Sequence, residues 1–416
     1  MDWELDVGQD GSVRAQAETR AESAMRTRSA ILSAARRLVV DRGFEAVSLR
    51  EVAEAAGISH PGLQKHFPSK ALLLVAVLEE CATPLAEPRT VDALLQHVRD
   101  VAADPVQTRL EVSLAVAGWD EEHPAHDWYD QLHRWRERVV GRLLVDDVVA
   151  IDHQRQVRRL VAIWEGQQVI SAYLPDQPSA DVVLKHSLAP SRAAEATTAY
   201  AQAPVDHVGL ATIGHEEHEG YAPGRQRRER IISAAVELFA TQGFHATTLN
   251  EVAAQVGSSA STLRHYFGSK EDLLTAVLRH RDAELVLYEK APTASATQIL
   301  RSAGDDARRD EEQEPGLIAL YATMSCEAVV SSHPAHDYFS ARFARTLAYF
   351  ENLLHRAALE GGLLQPSDAR LEASTLVALW DGLQRQWMAD PLAVDIGAEL
   401  DTHLAGLLNP DQARST

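Results

Sequence analysis

A segment beginning Ile31-Leu-Ser-Ala-Ala returns as Ile231-Ile-Ser-Ala-Ala, and the match then runs on without a gap at a spacing of 200 residues. It takes in Gly43-Phe44 and Gly243-Phe244, Glu51-Val52-Ala53 and Glu251-Val252-Ala253, Gly57 and Gly257, Ser59 and Ser259, Leu63 and Leu263, Ser69-Lys70 and Ser269-Lys270, and Leu73-Leu74 and Leu273-Leu274. Further along, His123-Pro-Ala-His-Asp returns from His333 at a spacing of 210, and Trp164-Glu-Gly-Gln-Gln returns as Trp380-Asp-Gly-Leu-Gln at 216. A spacing that grows means small insertions between equivalent elements. The chain is therefore two copies of one unit, and a fold for either must serve both. The joint falls over 193–224, where Pro, Gly, His and Glu replace a clear apolar period, as in a linker.

Each copy reads as helical. Ile31, Ala34, Ala35, Leu38 and Val39, with Ile231, Ala234, Ala235, Leu238 and Phe239, keep the spacing of one buried helix face, and no segment sustains the alternation of a strand. Gly43 and Gly243 stand where a C-terminal helix cap belongs. Ser48-x-x-Glu51 and Thr248-x-x-Glu251 are capping boxes that open a second helix, which ends at Gly57 or Gly257. Ser59 and Ser259 then cap a third helix, and Ser69 and Ser269 a fourth. A short helix, a glycine turn and another short helix make a helix-turn-helix, whose second helix enters the major groove of DNA.

The net charge of −20 argues at first against a polyanionic partner. The charge is uneven, however. Met25–Lys70 carries eight Lys/Arg against four Asp/Glu, and Arg225–Lys270 six against three, so two basic modules sit on an acidic body. The two cysteines, Cys81 and Cys326, form no CxxC and do not correspond between the copies, so neither a disulfide framework nor a zinc site is expected. With no apolar leader in 1–24 and no run long enough to span a bilayer, the reading is a cytoplasmic protein with no membrane partner.

The motifs over Thr27–Glu80 and Arg227–His280 resemble the TetR/AcrR family of bacterial repressors: a helix, Gly-Phe, Ser/Thr-Leu-x-x-Val-Ala, Gly, Ser, then Leu-x-x-(His/Tyr)-Phe-x-Ser-Lys-x-x-Leu. The His-Pro-Ala-His-Asp and Trp-(Asp/Glu)-Gly-x-Gln segments extend the resemblance more loosely. It implies an all-α fold of two tandem units, each a three-helix head on a larger helical body that binds ligand and dimerises. The expected limits are an unordered arm over 1–24, a first head over 25–72, its body over 73–192, the linker, a second head over 225–272 and its body over 273–410.

The resemblance places the groove-facing positions at His60, Pro61, Gly62, Gln64, Lys65 and His66 in the first copy, and at Ala260, Ser261, Thr262, Arg264, His265 and Tyr266 in the second. Ser48, Arg50, Thr248 and Asn250, at the start of the preceding helix, join them as DNA contacts. Lys70 and Lys270, after the capping serine of the fourth helix, are expected on phosphate. Arg264 and Lys65 have donors suited to guanine and Gln64 a pattern suited to adenine, though a phosphate contact is an equal alternative for each. Gly62 departs from the usual Thr or Ser and weakens its helix by about 1 kcal/mol. Arg14, Arg20, Arg26 and Arg28 are candidates for an arm along the minor groove or the phosphates.

For the bodies, the resemblance suggests that Trp119, Trp128, Trp164, Tyr321, Phe339 and Trp380 line an apolar ligand site, against the plainer reading of core packing. The His-Pro-Ala-His-Asp motifs (His123, His126, Asp127; His333, His336, Asp337) read better as helix starts than as metal or acid–base sites. No enzyme motif, cofactor site or metal site is expected. The implied partners are a double-stranded DNA operator and a small-molecule effector. The segments after Trp164 and Trp380 should pair the two copies within one chain, and association of two chains into a homodimer is also compatible with the sequence. The function implied is a repressor whose two unlike heads read an asymmetric operator and leave it when a small apolar or aromatic ligand binds. The alternative is a ligand-binding or scaffold protein with degenerate heads.

Overall fold

A computed structural model describes residues 8–44, 46–81, 87–115, 118, 121–144, 150–188, 222–285, 294–313, 315–365 and 367–410. Among these the fold is all-α. The first unit holds α1 (Gly8–Arg42), α2 (Leu49–Ala55), α3 (His60–His66), α4 (Lys70–Cys81), α5 (Val91–Ala102), α6 (Pro105–Ser113), α7 (His126–Leu143), α8 (Ala150–Tyr173) and α9 (Ala180–Leu188). The second holds α10 (Ala222–Ala246), α11 (Leu249–Gln255), α12 (Ala260–Phe267), α13 (Lys270–Leu285), α14 (Ala296–Arg301), α15 (Ala303–Gln313), α16 (Pro315–Glu327), α17 (His336–Leu359), α18 (Ala369–Ala389) and α19 (Ile396–Ala405).

α1 begins at Gly8, so part of the segment read as an unordered arm is helical. Its run Arg14–Arg28 is rich in Ala, Glu and Arg and lacks proline, and good helix formers extend a helix already anchored by packing at Ile31–Val40. Most of the linker reading, together with Trp119, lies outside the described residues.

The first head closes around Ile31, Ala35, Val52, Leu63, Phe67 and Leu74. The second closes around Ile231, Ala235, Val252, Leu263, Phe267 and Leu274, at the equivalent positions. Gly43 and Gly243 turn the chain out of the first helix with φ of +80° and +78°, a region that L side chains rarely occupy.

The most extensive helix pairing joins α8 of the first unit to α18 of the second. Each carries a small residue four positions before its glycine: Ala162 and Gly166 on α8, Ala378 and Gly382 on α18. The contact is reciprocal. A methyl group on Gly166 would fall 1.9 Å from the carbonyl oxygen of Ala378, and one on Gly382 would fall 2.0 Å from that of Ala162. Both glycines thus permit backbone-to-backbone approach, and equivalent residues meet crosswise, the mark of a two-fold relation. α9 packs on both α8 and α18, and α19 packs on α18. Arg155 and Arg159 of α8 hold the Glu399 carboxylate of α19 at 2.8 and 2.7 Å, where Glu399 is only 2% exposed. His186 of α9 meets Glu372 of α18 at 2.8 Å. The Tyr173 hydroxyl donates to the Ser325 carbonyl at 2.7 Å, and its ring lies against His336, Phe339 and Phe343. The largest apolar core therefore runs through residues of both units.

Candidate nucleic-acid interface

The reading helices are short, and their geometry depends on caps. The Ser48 side chain accepts from the Glu51 amide at 3.3 Å while the Glu51 carboxylate accepts from the Ser48 amide at 2.9 Å; Thr248 and Glu251 repeat this at 3.3 and 2.7 Å. The Ser48 and Thr248 hydroxyls also donate to these carboxylates at 2.7 and 2.8 Å, and with the capping amides they hold the Glu51 and Glu251 carboxyls below the usual range. Gly57 and Gly257 make the turn at φ of +70° and +61°. Ser59 then caps α3 through the Gly62 amide and Ser259 caps α12 through that of Thr262, both at 3.2 Å.

These local bonds fix which way each helix faces. Leu63 and Leu263 are fully buried in the heads, while Pro61, Gln64 and Lys65 on α3 and Ser261, Arg264 and His265 on α12 are exposed. His60, Gly62 and His66 are half-buried, as are Ala260, Thr262 and Tyr266. Arg50 and Asn250 are exposed beside the capping residues Ser48 and Thr248. The exposed and half-buried positions of α3 and α12 correspond one to one between the heads, as do Arg50 and Asn250. The two surfaces have one frame and different chemistry.

Two sets of cations are engaged elsewhere than expected. Lys270 points into its head: its ammonium donates to the carbonyls of Phe244 at 2.9 Å and Thr247 at 3.0 Å and sits 4.2 Å above the Phe244 ring. Burial holds that ammonium below the ordinary lysine value. Lys70 covers the Phe44 ring in the same way at 4.3 Å. Lys270 thus supplies donors to carbonyls at the end of α10, which need them. Similarly, Arg28 lies over Phe67 at 4.8 Å and Arg228 over Phe267 at 5.2 Å. Arg28 is thus part of the head's packing rather than a free arm.

The candidate effector residues fall into separate groups. Tyr321 and Phe339 are buried with ring centres 5.4 Å apart, Arg342 covers Tyr321, and Tyr173 reaches the same group from the first unit. Trp164 packs edge-on to Trp135 at 6.1 Å, with His97 beside both. Trp128 is half-buried where the two cores of the first unit meet the large core shared by both units, and Trp380 lies against Phe350 at 6.4 Å.

Sequence reasoning missed the charges beneath Trp164. Arg136, 2% exposed, bonds Glu111 at 2.8 Å and Glu165 at 3.0 Å, and His133 bonds Glu165 at 2.9 Å. Burial alone would lower the His133 imidazole, but the adjacent Glu165 carboxylate outweighs it and holds the group above its ordinary value. The repeated Glu165/Asp381 position was a signal, but Arg136 has no counterpart in the second copy to draw attention to it.

Both His-Pro-Ala-His-Asp motifs build the same turn. His123 accepts from the Ala125 amide and His333 from the Ala335 amide, both at 3.1 Å, while His126 and His336 pair with the carbonyls of Gly118 and Ala328 at 2.9 and 2.8 Å. The helices begin at His126 and His336, with Asp127 and Asp337 in the first turn.

Two short capped helices crossing at a glycine turn, the second presenting a polar face, define a DNA-binding regulator of helix-turn-helix type. The family model described as bacterial regulatory proteins, tetR family, matches at 31–77 and again at 231–277. The HTH-type transcriptional regulator BetI of Burkholderia mallei (strain NCTC 10229) is 30% identical over 193 residues, 43% of this chain and 87% of the relative. The HTH-type transcriptional repressor BepR of Brucella suis biovar 1 (strain 1330) is 25% identical over 183 residues, 42% of this chain and 87% of the relative. Among solved structures, a putative transcriptional regulator from Saccharomonospora viridis in complex with choline aligns with a TM-score of 0.37 and 22% identity, over 44% of this chain and 99% of that one. The chain belongs to the TetR family of bacterial transcriptional regulators and carries the family's DNA-binding domain twice.

Proposed function

We propose that this protein is a repressor that reads one asymmetric operator with two unlike heads, paired within a single chain. The observation that carries this reading is the combination of matching head frames with different exposed residues, Gln64-Lys65 on α3 and Arg264-His265 on α12. The crosswise glycine contact between α8 and α18 supports pairing of the two units as the halves of a dimer. A symmetric dimer reads a palindrome because its halves are the same; unlike halves favour unlike half-sites. A repressor role is in keeping with the name of the Brucella relative. Release follows when a small apolar or aromatic ligand enters a body and changes the tilt between heads, so that the state able to span adjacent grooves is depopulated. The buried aromatic group of Tyr173, Tyr321 and Phe339, which draws on both units, supports such coupling.

Footprinting of the full chain on its operator, with the mass of the complex measured in solution, tests this reading. One chain covering one asymmetric site agrees with it. Two chains on a perfect palindrome overturn it. Binding without a steep salt dependence removes the DNA-reading role itself, since phosphate neutralisation gives such a slope.

A further inference from the structure

We propose that the second unit holds a regulatory site for a first-row divalent metal ion of the zinc type, formed by His245, Glu327 and His333. The three side chains come from different places: His245 from the last turn of α10, past the kink at Gly243, in the head, Glu327 from the last turn of α16 in the body, and His333 from the turn before α17. One donor atom of each lies within 4.8 Å of the others. The Glu327 Oε1 is 4.0 Å from His245 Nε2 and 3.9 Å from His333 Nε2, too far for hydrogen bonds. Donors around a tetrahedral ion, bound at about 2.0–2.1 Å, sit closer together, so loading draws these three inward.

The second observation is the state of His333. Its side chain is fully buried, yet Nε2 has no hydrogen-bond partner. A buried polar atom left unpaired is costly and calls for an explanation. Nδ1 accepts from the Ala335 amide, so the neutral ring carries its proton on Nε2, facing the cluster. When a metal binds, that proton moves to Nδ1 and the Ala335 contact is given up: one hydrogen bond is exchanged for coordination. Burial beside His245 and His336 keeps the ring uncharged at neutral pH. Two imidazoles and one carboxylate suit zinc, nickel or cobalt rather than calcium or magnesium, and leave an open coordination position.

The placement gives the site a consequence. Glu327 already accepts from the Phe244 and His245 amides at 2.7 and 3.0 Å, so the body grips the head here through backbone bonds. A metal would add a head side chain to that grip and fix the α10–α11 loop to α16 and α17. The ammonium of Lys270, which holds the same loop, opposes a second cation, so affinity should be intermediate and exchangeable. The first unit has Glu45, Ala117 and His123 at the matching positions, which lack both the carboxylate of Glu327 and the imidazole of His245. The site itself does not depend on the repressor reading; only its effect on DNA does.

The test uses the chelator-stripped full chain without DNA. Co²⁺ titration should give one site with tetrahedral visible bands, displaced by Zn²⁺, and Zn²⁺ should slow amide exchange over 243–247. His333→Ala and His245→Ala should each weaken Zn²⁺ at least tenfold, while His123→Ala leaves it unchanged. Glu327→Gln keeps an acceptor for only one of the two amides, which bond different carboxylate oxygens, so circular dichroism first verifies its fold; the folded variant should lose the metal at least tenfold. Unchanged affinity in His333→Ala, or binding that leaves exchange over 243–247 unaltered, overturns the proposal.

Discussion

Replacing Gly382 by alanine tests the contact on which the arrangement of the two units depends. The new methyl would lie 2.0 Å from the Ala162 carbonyl oxygen, also near that residue's carbonyl carbon and Cα at 2.5 and 2.7 Å. These are helix backbone atoms that cannot rotate aside. Relief requires α8 and α18 to part by roughly 1 Å, a gap that forfeits a quarter to a half of each dispersion contact along the seam. Ala162, Ile163, Ile170, Leu379 and Leu383 are buried along these two helices. Overpacking costs about 1–3 kcal/mol before that loss, and alanine returns about 1 kcal/mol of helix preference. A net loss of about 3 kcal/mol is expected. Gly141→Ala in α7 is the control: its methyl would meet the nearest atom, on Val157, at 3.4 Å, so it should gain up to about 1 kcal/mol. Urea unfolding followed by circular dichroism reads both. Gly166→Ala should behave like Gly382→Ala, and the double variant should lose less than the sum, because a seam opened by one methyl accommodates the other. A Gly382→Ala midpoint at or above that of the parent would refute the close approach, and strict additivity would refute the shared seam.

Arg264→Ala and Lys65→Ala should each weaken operator binding by about 1–3 kcal/mol if the residue reads a base, and each should relax preference in a different half of the site; selection from randomised DNA checks this, and an identical change in both halves contradicts it. Thr248→Ala should lower stability by about 1 kcal/mol through loss of the α11 cap, measured by thermal unfolding. Gly62→Ala should stabilise the first head by up to about 1 kcal/mol provided that Ser59 Oγ, 3.1 Å from the new methyl, gives slightly, as an unchanged midpoint would deny. The folded His133 imidazole binds its proton more tightly than the unfolded one, whose value is about 6.5. Its contribution is therefore full below about pH 6.5 and declines as pH rises through the raised folded value. Unfolding midpoints compared across that window should fall with pH in the parent and flatten in Glu165→Gln; equal slopes would remove the pairing from the account.

What could be read from the sequence is what depends on near neighbours along the chain. Ser48 with Glu51, and Ser59 with the Gly62 amide, close over three residues, so their spacing specifies the bond before any tertiary contact forms. The repeat strengthened this by writing the same punctuation twice. The roles of Lys70 and Lys270 were not legible in this way. A lysine after a capping serine suggests phosphate, and only the folded loop shows Lys270 spending its donors on the carbonyls of Phe244 and Thr247. Gly166 and Gly382 were visible as members of a repeated motif, but a glycine inside a helix does not announce which backbone approaches it. His245, Glu327 and His333 are 82 residues apart for one pair, and their meeting is a matter of packing alone.

The separate encoding of α3 and α12 changes how such a regulator can be altered. In an assembly of identical chains, one codon change is expressed twice, and a shift in base preference must suit both half-sites together. Here a change at Gln64 leaves Arg264 as it was. If α3 and α12 are the two halves of one reading surface, as proposed, each half can drift, be tuned or be lost without the other, while Gly166 and Gly382 must remain matched. Variation should accordingly accumulate independently on the two polar faces and jointly at the seam.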